Sequence, residues 1–168
     1  INTEQRHSQY LHSLEYAIKN YSCINNIVFC ENTGFNYDYY KIIDLAKKHN
    51  KMIEILSFSG NYEKVVQLGK GYGEGEIIEY CLNNSNLIKN SKSFIKLTGR
   101  LSIKNFDRLF KNNDKENIFL LNNVSLCDMN AEVSTIIYKV NILFYKKCLM
   151  ECYKYINDKN GFYLEHAL

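Results

Sequence analysis

The sequence predicts an α/β domain built as a three-layer sandwich around a largely parallel sheet. Short apolar runs such as Ile27-Val28-Phe29-Cys30 alternate with helical stripes such as Tyr10, Leu11, Leu14, Ala17 and Ile18. Alternation of this kind is the signature of strands covered by helices. Four of the eight glycines also fall between residues 69 and 75, directly ahead of a helical pattern, where a strand-to-helix unit would bend.

In chain order, residues 3–20 read as a helix with cap-type Asn2-Thr3-Glu4 ahead of the apolar stripe. Residues 24–30 read as a buried strand that ends in the polar turn Glu31-Asn32-Thr33-Gly34. A second helix is expected over 39–48 and a strand over 52–58. The glycine run then forms a loop, followed by a helix from Glu76 to about Leu87. Residues 93–103 are a strand candidate, 106–111 a short helix, and 118–121 and 134–140 further strands. A helix over 143–155 and a turn over 158–161 lead into a strand-like segment, 162–166. No repeat, linker or low-complexity tract divides the chain, so one domain is expected over 1–168. Because a helix opens the sequence, the sheet is expected to lack its first strand, or the chain to be a fragment of a longer one.

At 168 residues, 46% hydrophobic and 23% charged, the chain can bury one sizeable core. A formal charge of +3 without a basic patch argues against a nucleic-acid binder. No apolar run approaches the ~18 residues of a membrane span, and no secretory signal is read. The six cysteines (23, 30, 81, 127, 148 and 152) form no C-x-x-C pair or zinc spacing and read as reduced thiols of a cytosolic protein.

Two segments carry candidate chemistry. The run Gly69-Lys70-Gly71-Tyr72-Gly73-Glu74-Gly75 exposes backbone N–H groups and a lysine ahead of a helix N-terminus, a recipe for anion binding that competes evenly with a plain turn. Its spacing is neither the dinucleotide fingerprint, since Glu74 stands at the sixth position, nor a P-loop, since Gly71 follows Lys70. In Lys96-Leu97-Thr98-Gly99-Arg100, strand alternation puts Lys96, Thr98 and Arg100 on one face. Such a face suits a phosphate, with Arg100 as a bidentate clamp, or a structural ion pair with Glu31 or Glu74. Glu31 and Asn32 end an earlier strand, where ligands of parallel sheets sit. Among the tyrosines, Tyr37, Tyr39 and Tyr40 form a cluster suited to packing or ring stacking, and Tyr72, among the glycines, is the ring expected to contact a base or sugar.

Taken together, Gly69 to Glu74, Phe94 to Leu101 and Asn105 resemble bacterial glycosyltransferases of capsule and lipopolysaccharide biosynthesis. Glu4, Arg6, Tyr10, Ser13 and Leu14, the stretch Val28 to Asn32, and Gly161 to Glu165 fit the same pattern. The resemblance implies a GT-A-like, Rossmann-like nucleotide-sugar-binding fold. It also implies a nucleotide-diphosphate sugar donor and a glycan or lipid-linked acceptor, reached at the inner face of the cytoplasmic membrane. Donor contacts would fall on Glu31, Asn32, Gly69, Lys70, Gly71, Gly73, Glu74, Lys96, Thr98, Gly99 and Arg100. Many members hold the diphosphate through a metal on Asp-x-Asp, which this chain lacks; Asp128-Met129-Asn130 is the nearest match. Either Asp128 helps bind Mg²⁺ or Mn²⁺, or Lys96, Arg100 and the glycine loop neutralise the leaving diphosphate, the preferred route. By analogy with the family's late acidic residue, Glu165 is the first candidate base, with Asp128 and Glu74 in reserve. His166 is a metal ligand or faces solvent. The alternative to an enzyme is a nucleotide- or glycan-binding module of the same fold.

Overall fold

The structure, a computed structural model, describes residues 3–34, 37–121 and 132–168. Helix α1 (Thr3–Asn20) leads into strand β1 (Asn26–Glu31), helix α2 (Tyr40–Lys48) and strand β2 (Met52–Ser57). β1 and β2 pair in parallel, with Glu31 opposite Ser57 at the carboxyl end. Along β1 the side chains of Ile27, Phe29 and Glu31 turn inward, as the period of two requires. Ile27 and Phe29 meet Leu14 and Ile18 of α1 and Ile42 and Ala46 of α2, which closes the first core.

Helices α3 (Tyr62–Leu68), α4 (Lys70–Asn84) and α5 (Asn86–Lys89) precede strand β3 (Ser93–Leu97). Helix α6 (Phe106–Phe110) and strands β4 (Ile118–Leu121) and β5 (Val133–Asn141) follow. The second sheet has the order β3-β5-β4, and both of its pairings are antiparallel. β5 is therefore central and buries residues on both faces. Tyr138 and Val140 pack with Ile78 and Leu82 of α4. Ile137 packs with Phe106 and Phe110 of α6 and with Ala17 and Tyr21. The chain closes with helix α7 (Ile142–Phe144), a π-helical turn (Tyr145–Leu149), two 3₁₀ turns (Cys152–Lys154 and Asp158–Asn160) and helix α8 (Leu164–Ala167).

An α/β class is thus observed, but the single, largely parallel sheet is not: the described residues form a parallel pair and an antiparallel triplet. Local alternation reports that a segment is a strand, not which way its neighbour runs. Three segments also differ from expectation. The glycine run is not a loop, because α4 begins at Lys70 and carries Gly71, Gly73 and Gly75 within it. Residues 98–103 leave the strand, with Leu101 N–H donating to the Thr98 carbonyl across a turn. The segment 162–166 makes only an isolated bridge, Asn157 with Phe162, before α8 begins.

Burial explains the glycine helix. Gly75 lies against Tyr153 so closely that a Cβ would fall 2.2 Å from the tyrosine Cβ. One turn earlier, Gly71 faces Ile156 and Leu164. Helical glycine costs about 1 kcal/mol per position relative to alanine, yet it lets the C-terminal turns approach α4. Gly69 adopts φ 114°, a left-handed conformation that few side chains accept, and so separates α3 from α4.

Candidate functional site

The two candidate segments meet through one ion pair. Lys96, on β3, is almost wholly buried and contacts the Glu74 carboxylate on α4. The same ammonium donates to Thr98 Oγ1 at 3.0 Å and to the Thr135 carbonyl of β5. Lys96 and Thr98 lie together, as strand alternation predicts, and of the two structural partners expected for this face, Glu31 and Glu74, the one observed is Glu74. Arg100 is not with them. It is exposed in the turn that follows the strand.

Beside Glu74 opens a cleft of about 210 Å³, lined by Lys70, Gly71, Glu74, Thr135, Asp158, Tyr163, Leu164 and Glu165. It exceeds several times the ~30 Å³ share of one liquid water. Glu165 Oε1 accepts from Thr135 Oγ1 at 2.6 Å, which fixes one oxygen of the carboxylate in the wall. α8 places Glu165 there because its buried Leu164 packs with Tyr153 and Ile156. The N-terminus of α4 opens on the same cleft, where Asp158 Oδ2 accepts from Gly71 N–H at 3.4 Å. Asp158 thus fills the position an external anion would take at this helix start, a partner the sequence reading missed. The turn residues 158–161 were its only sequence signal. His166 is held locally: its Nδ1 accepts from Tyr163 N–H at 3.0 Å and its Nε2 lies 3.1 Å from Glu132.

A second, smaller pocket of about 60 Å³ sits at the carboxyl end of β1, lined by Arg6, His7, Tyr10, Glu31, Thr33, Tyr37 and Tyr39. Glu31 is buried there and accepts from Ser57 Oγ at 2.7 Å and from Thr33 N–H at 3.0 Å. His7 stacks on Tyr37 with ring centroids 3.7 Å apart. Tyr39 Oη is buried with no hydrogen-bond partner among the described residues. Burial is the main cause that pushes the Tyr39 hydroxyl up to about 12, with the Glu31 charge second. Tyr39 therefore stays a neutral donor across the physiological range. Arg6, His7 and Tyr39 were not placed in a site by the sequence reading of the aromatic cluster.

The two pockets share no lining residue. Gly99 abuts Tyr10, with the position of a Cβ only 3.2 Å from ring atoms. Beside Gly99, Thr98 accepts from the buried Lys96, which contacts Glu74 in the wall of the larger cleft. The side-chain nitrogen of Asn32 lies near Gly60 and Gly73. Tyr72 faces away, packed edge-on against Tyr153 with centroids 5.1 Å apart.

Metal binding through Asp128 concerns a segment outside the described residues. Among the described residues, no group of three or more His, Cys, Asp or Glu side chains is arranged to hold a metal ion. No described helix is long and apolar enough to cross a membrane. What fold and site define together is an α/β domain with two separate polar clefts, the larger bordered by the buried Lys96–Glu74 pair. Compared with known proteins, the chain matches no family model, no curated protein sequence and no solved structure.

Proposed function

We propose that the protein is a glycosyltransferase of surface-polysaccharide assembly, moving a sugar from a nucleotide-diphosphate donor to a glycan or lipid-linked acceptor. The observation that carries this reading is the larger cleft, where Glu165, held through one oxygen by Thr135, shares the lining with Lys70. A sugar transfer from a diphosphate asks for these two groups, a carboxylate base and a cation for the departing charge. The aromatic pocket at Glu31 offers rings for a nucleobase. The sequence resemblance supports the same reading and, with it, a GT-A-like ancestry for the α/β fold.

In this scheme the rim rings Tyr37 and His7 stack with the base, while Tyr39 and Arg6 donate to its polar edge or to the ribose. At about 60 Å³ the pocket itself takes a small polar group rather than a whole ring. The reacting sugar occupies the larger cleft. In an inverting transfer, Glu165 takes the proton of the acceptor hydroxyl as that oxygen attacks the anomeric carbon. The bond from that carbon to the diphosphate oxygen breaks at the same time, and the departing charge meets Lys70. Thr135 orients Glu165 by occupying one carboxylate oxygen and leaving the other for the proton. A divalent cation would supply further neutralisation of the diphosphate. The described carboxylates of the cleft are already engaged with Lys96, Gly71 and Thr135, so they do not form its site.

The binding-module reading has one observation in its favour: the charge of Lys96 is already balanced by Glu74 and is not free for a leaving group. The two readings part on Glu165→Gln. The test is a thermal-shift panel of nucleotide sugars in EDTA, Mg²⁺ or Mn²⁺, followed by donor-turnover assays on the best ligand. A ligand at 100 times its dissociation constant stabilises by about 2.7 kcal/mol. An enzyme gives a shift in both proteins and turnover only in the parent chain. A shift with no turnover in either selects the binding module. No shift with any nucleotide overturns both.

A further inference from the structure

We propose that the exposed surface around Leu143 and Phe144 docks the protein on an anionic lipid bilayer. The segment is amphipathic in an informative way. Ile142, Tyr145 and Leu149 are buried against α4 and β5, which turns Leu143, Phe144, Lys146 and Lys147 outward. Leu143 is 68% exposed and Phe144 40%, adjacent apolar side chains that the protein's own core leaves uncovered. Their backbone is pinned rather than loose. Phe144 N–H donates to Asn141 Oδ1 at 3.1 Å, and Ile142 N–H donates to the Lys92 carbonyl at 3.0 Å. That second bond sets Lys92, also exposed, beside the start of α7. The next acidic residue along the chain, Glu151, is engaged by Lys154 at 2.6 Å.

An aliphatic and an aromatic side chain rimmed by three lysines match the layered chemistry of an anionic bilayer surface. The apolar pair enters below the headgroups while the ammonium groups remain among the phosphates. A second copy of this chain is a poorer occupant. A two-fold contact would set Lys146 and Lys147 against their own symmetry mates, and like charges facing one another cost affinity. The proposal rests on this surface alone and stands or falls separately from the transferase reading.

The experiment is co-sedimentation of the 168-residue chain with phosphatidylglycerol vesicles and with phosphatidylcholine vesicles, at low and high salt. Near an anionic leaflet each lysine is worth roughly a fivefold gain in partitioning. Binding to phosphatidylglycerol should therefore exceed binding to phosphatidylcholine and weaken as salt rises. The pair Lys146→Glu with Lys147→Glu should lose at least about 20-fold. Leu143→Gln with Phe144→Gln keeps the lysines and should still lose about tenfold, because the apolar insertion is gone. All four side chains are exposed, so melting temperatures should hold and report folding separately. The proposal is overturned if the parent chain ignores phosphatidylglycerol, or if both double variants bind as it does. It is equally overturned if the parent is a dimer that the Leu143/Phe144 variant dissociates, since a second copy then covers the surface.

Discussion

Gly75 and Tyr153 touch backbone to ring: a methyl group on the glycine would lie 2.2 Å from both Cβ and Cγ of the tyrosine. The tyrosine Cβ is fixed to the backbone, so no rotamer change moves it away. Gly75→Ala should therefore destabilise the fold by about 1–3 kcal/mol despite the helix propensity it gains. In a chain of this length the melting temperature should fall by roughly 2–4 °C for each kcal/mol. Gly73→Ala is the comparison, since its Cβ would meet only Val65 Cγ2 at 3.1 Å and Asn32 at 3.4 Å. A smaller loss than at Gly75 is expected by differential scanning calorimetry; equal losses would refute the packing account.

Lys96 and Glu74 form the polar hinge between the sheet and α4, and their exposure is unequal, 9% against 30% for the side chains. Removing Glu74 strands a buried ammonium, whereas removing both leaves none. Glu74→Gln and Lys96→Met should each cost about 2–4 kcal/mol in urea unfolding, near the values for buried pairs broken on one side. The double variant should cost clearly less than the sum, with a coupling energy of at least about 1 kcal/mol. Strict additivity would show that the two groups do not sense each other.

How much of this could be read from the sequence differs by residue. The strands around Phe29 and Ile55 were legible because each is a short, largely apolar run, Ile27 to Cys30 and Met52 to Phe58, set between helical patterns. The antiparallel triplet was not, because pairing direction depends on contacts between separate segments, Ile95 with Lys139 and Ile118 with Lys139 among them. At Gly71 and Gly75 propensity argued for a loop, and packing against Ile156 and Tyr153 overruled it. The i, i+4 spacing of those two glycines was the available signal for a close helix contact. Thr98-Gly99-Arg100 held a turn signal that the alternation argument passed over, which is why Arg100 was carried onto the strand. Glu165 was legible as a late acidic residue, but its partner Thr135 lies 30 residues earlier and only the fold brings the two together.

Asp107 ties α6 to the turn after α1. Its carboxylate accepts from the Ser22 hydroxyl, from Ser22 N–H at 3.0 Å and from Cys23 N–H at 3.2 Å. The Ser22 hydroxyl bond is the main reason its pKa drops from 3.8 to about 2. A carboxyl lowered on folding contributes stability that is complete above its unfolded value and fades as pH falls through the folded one. That stability should disappear between about pH 4 and pH 2, the window set by these two values. The group is well solvated, so its contribution is on the order of 1 kcal/mol. Asp107→Asn should unfold more easily at pH 7 by that amount and lose that part of the acid slope. Chemical denaturation at closely spaced pH values measures both, and an unchanged slope would remove Asp107 from the account.

Tyr39 separates stability from binding. Its hydroxyl is buried beside Glu31 and Arg6 in the smaller pocket and has no hydrogen-bond partner among the described residues. An unmatched buried hydroxyl costs about 1–3 kcal/mol, so a purely structural tyrosine here would be an unrewarded strain on the fold. Tyr39→Phe keeps the ring against Phe29 and His7 and removes only that oxygen. The variant should melt higher than the parent, by roughly 2–4 °C for each kcal/mol recovered. If the hydroxyl is kept for a ligand, the same variant should bind the nucleotide found in the thermal-shift panel about tenfold more weakly, the worth of one buried hydrogen bond. A gain in stability joined to a loss in affinity is the signature of a binding residue held at the fold's expense. A gain in stability with affinity unchanged would confine Tyr39 to the core and move base binding away from the pocket at Glu31.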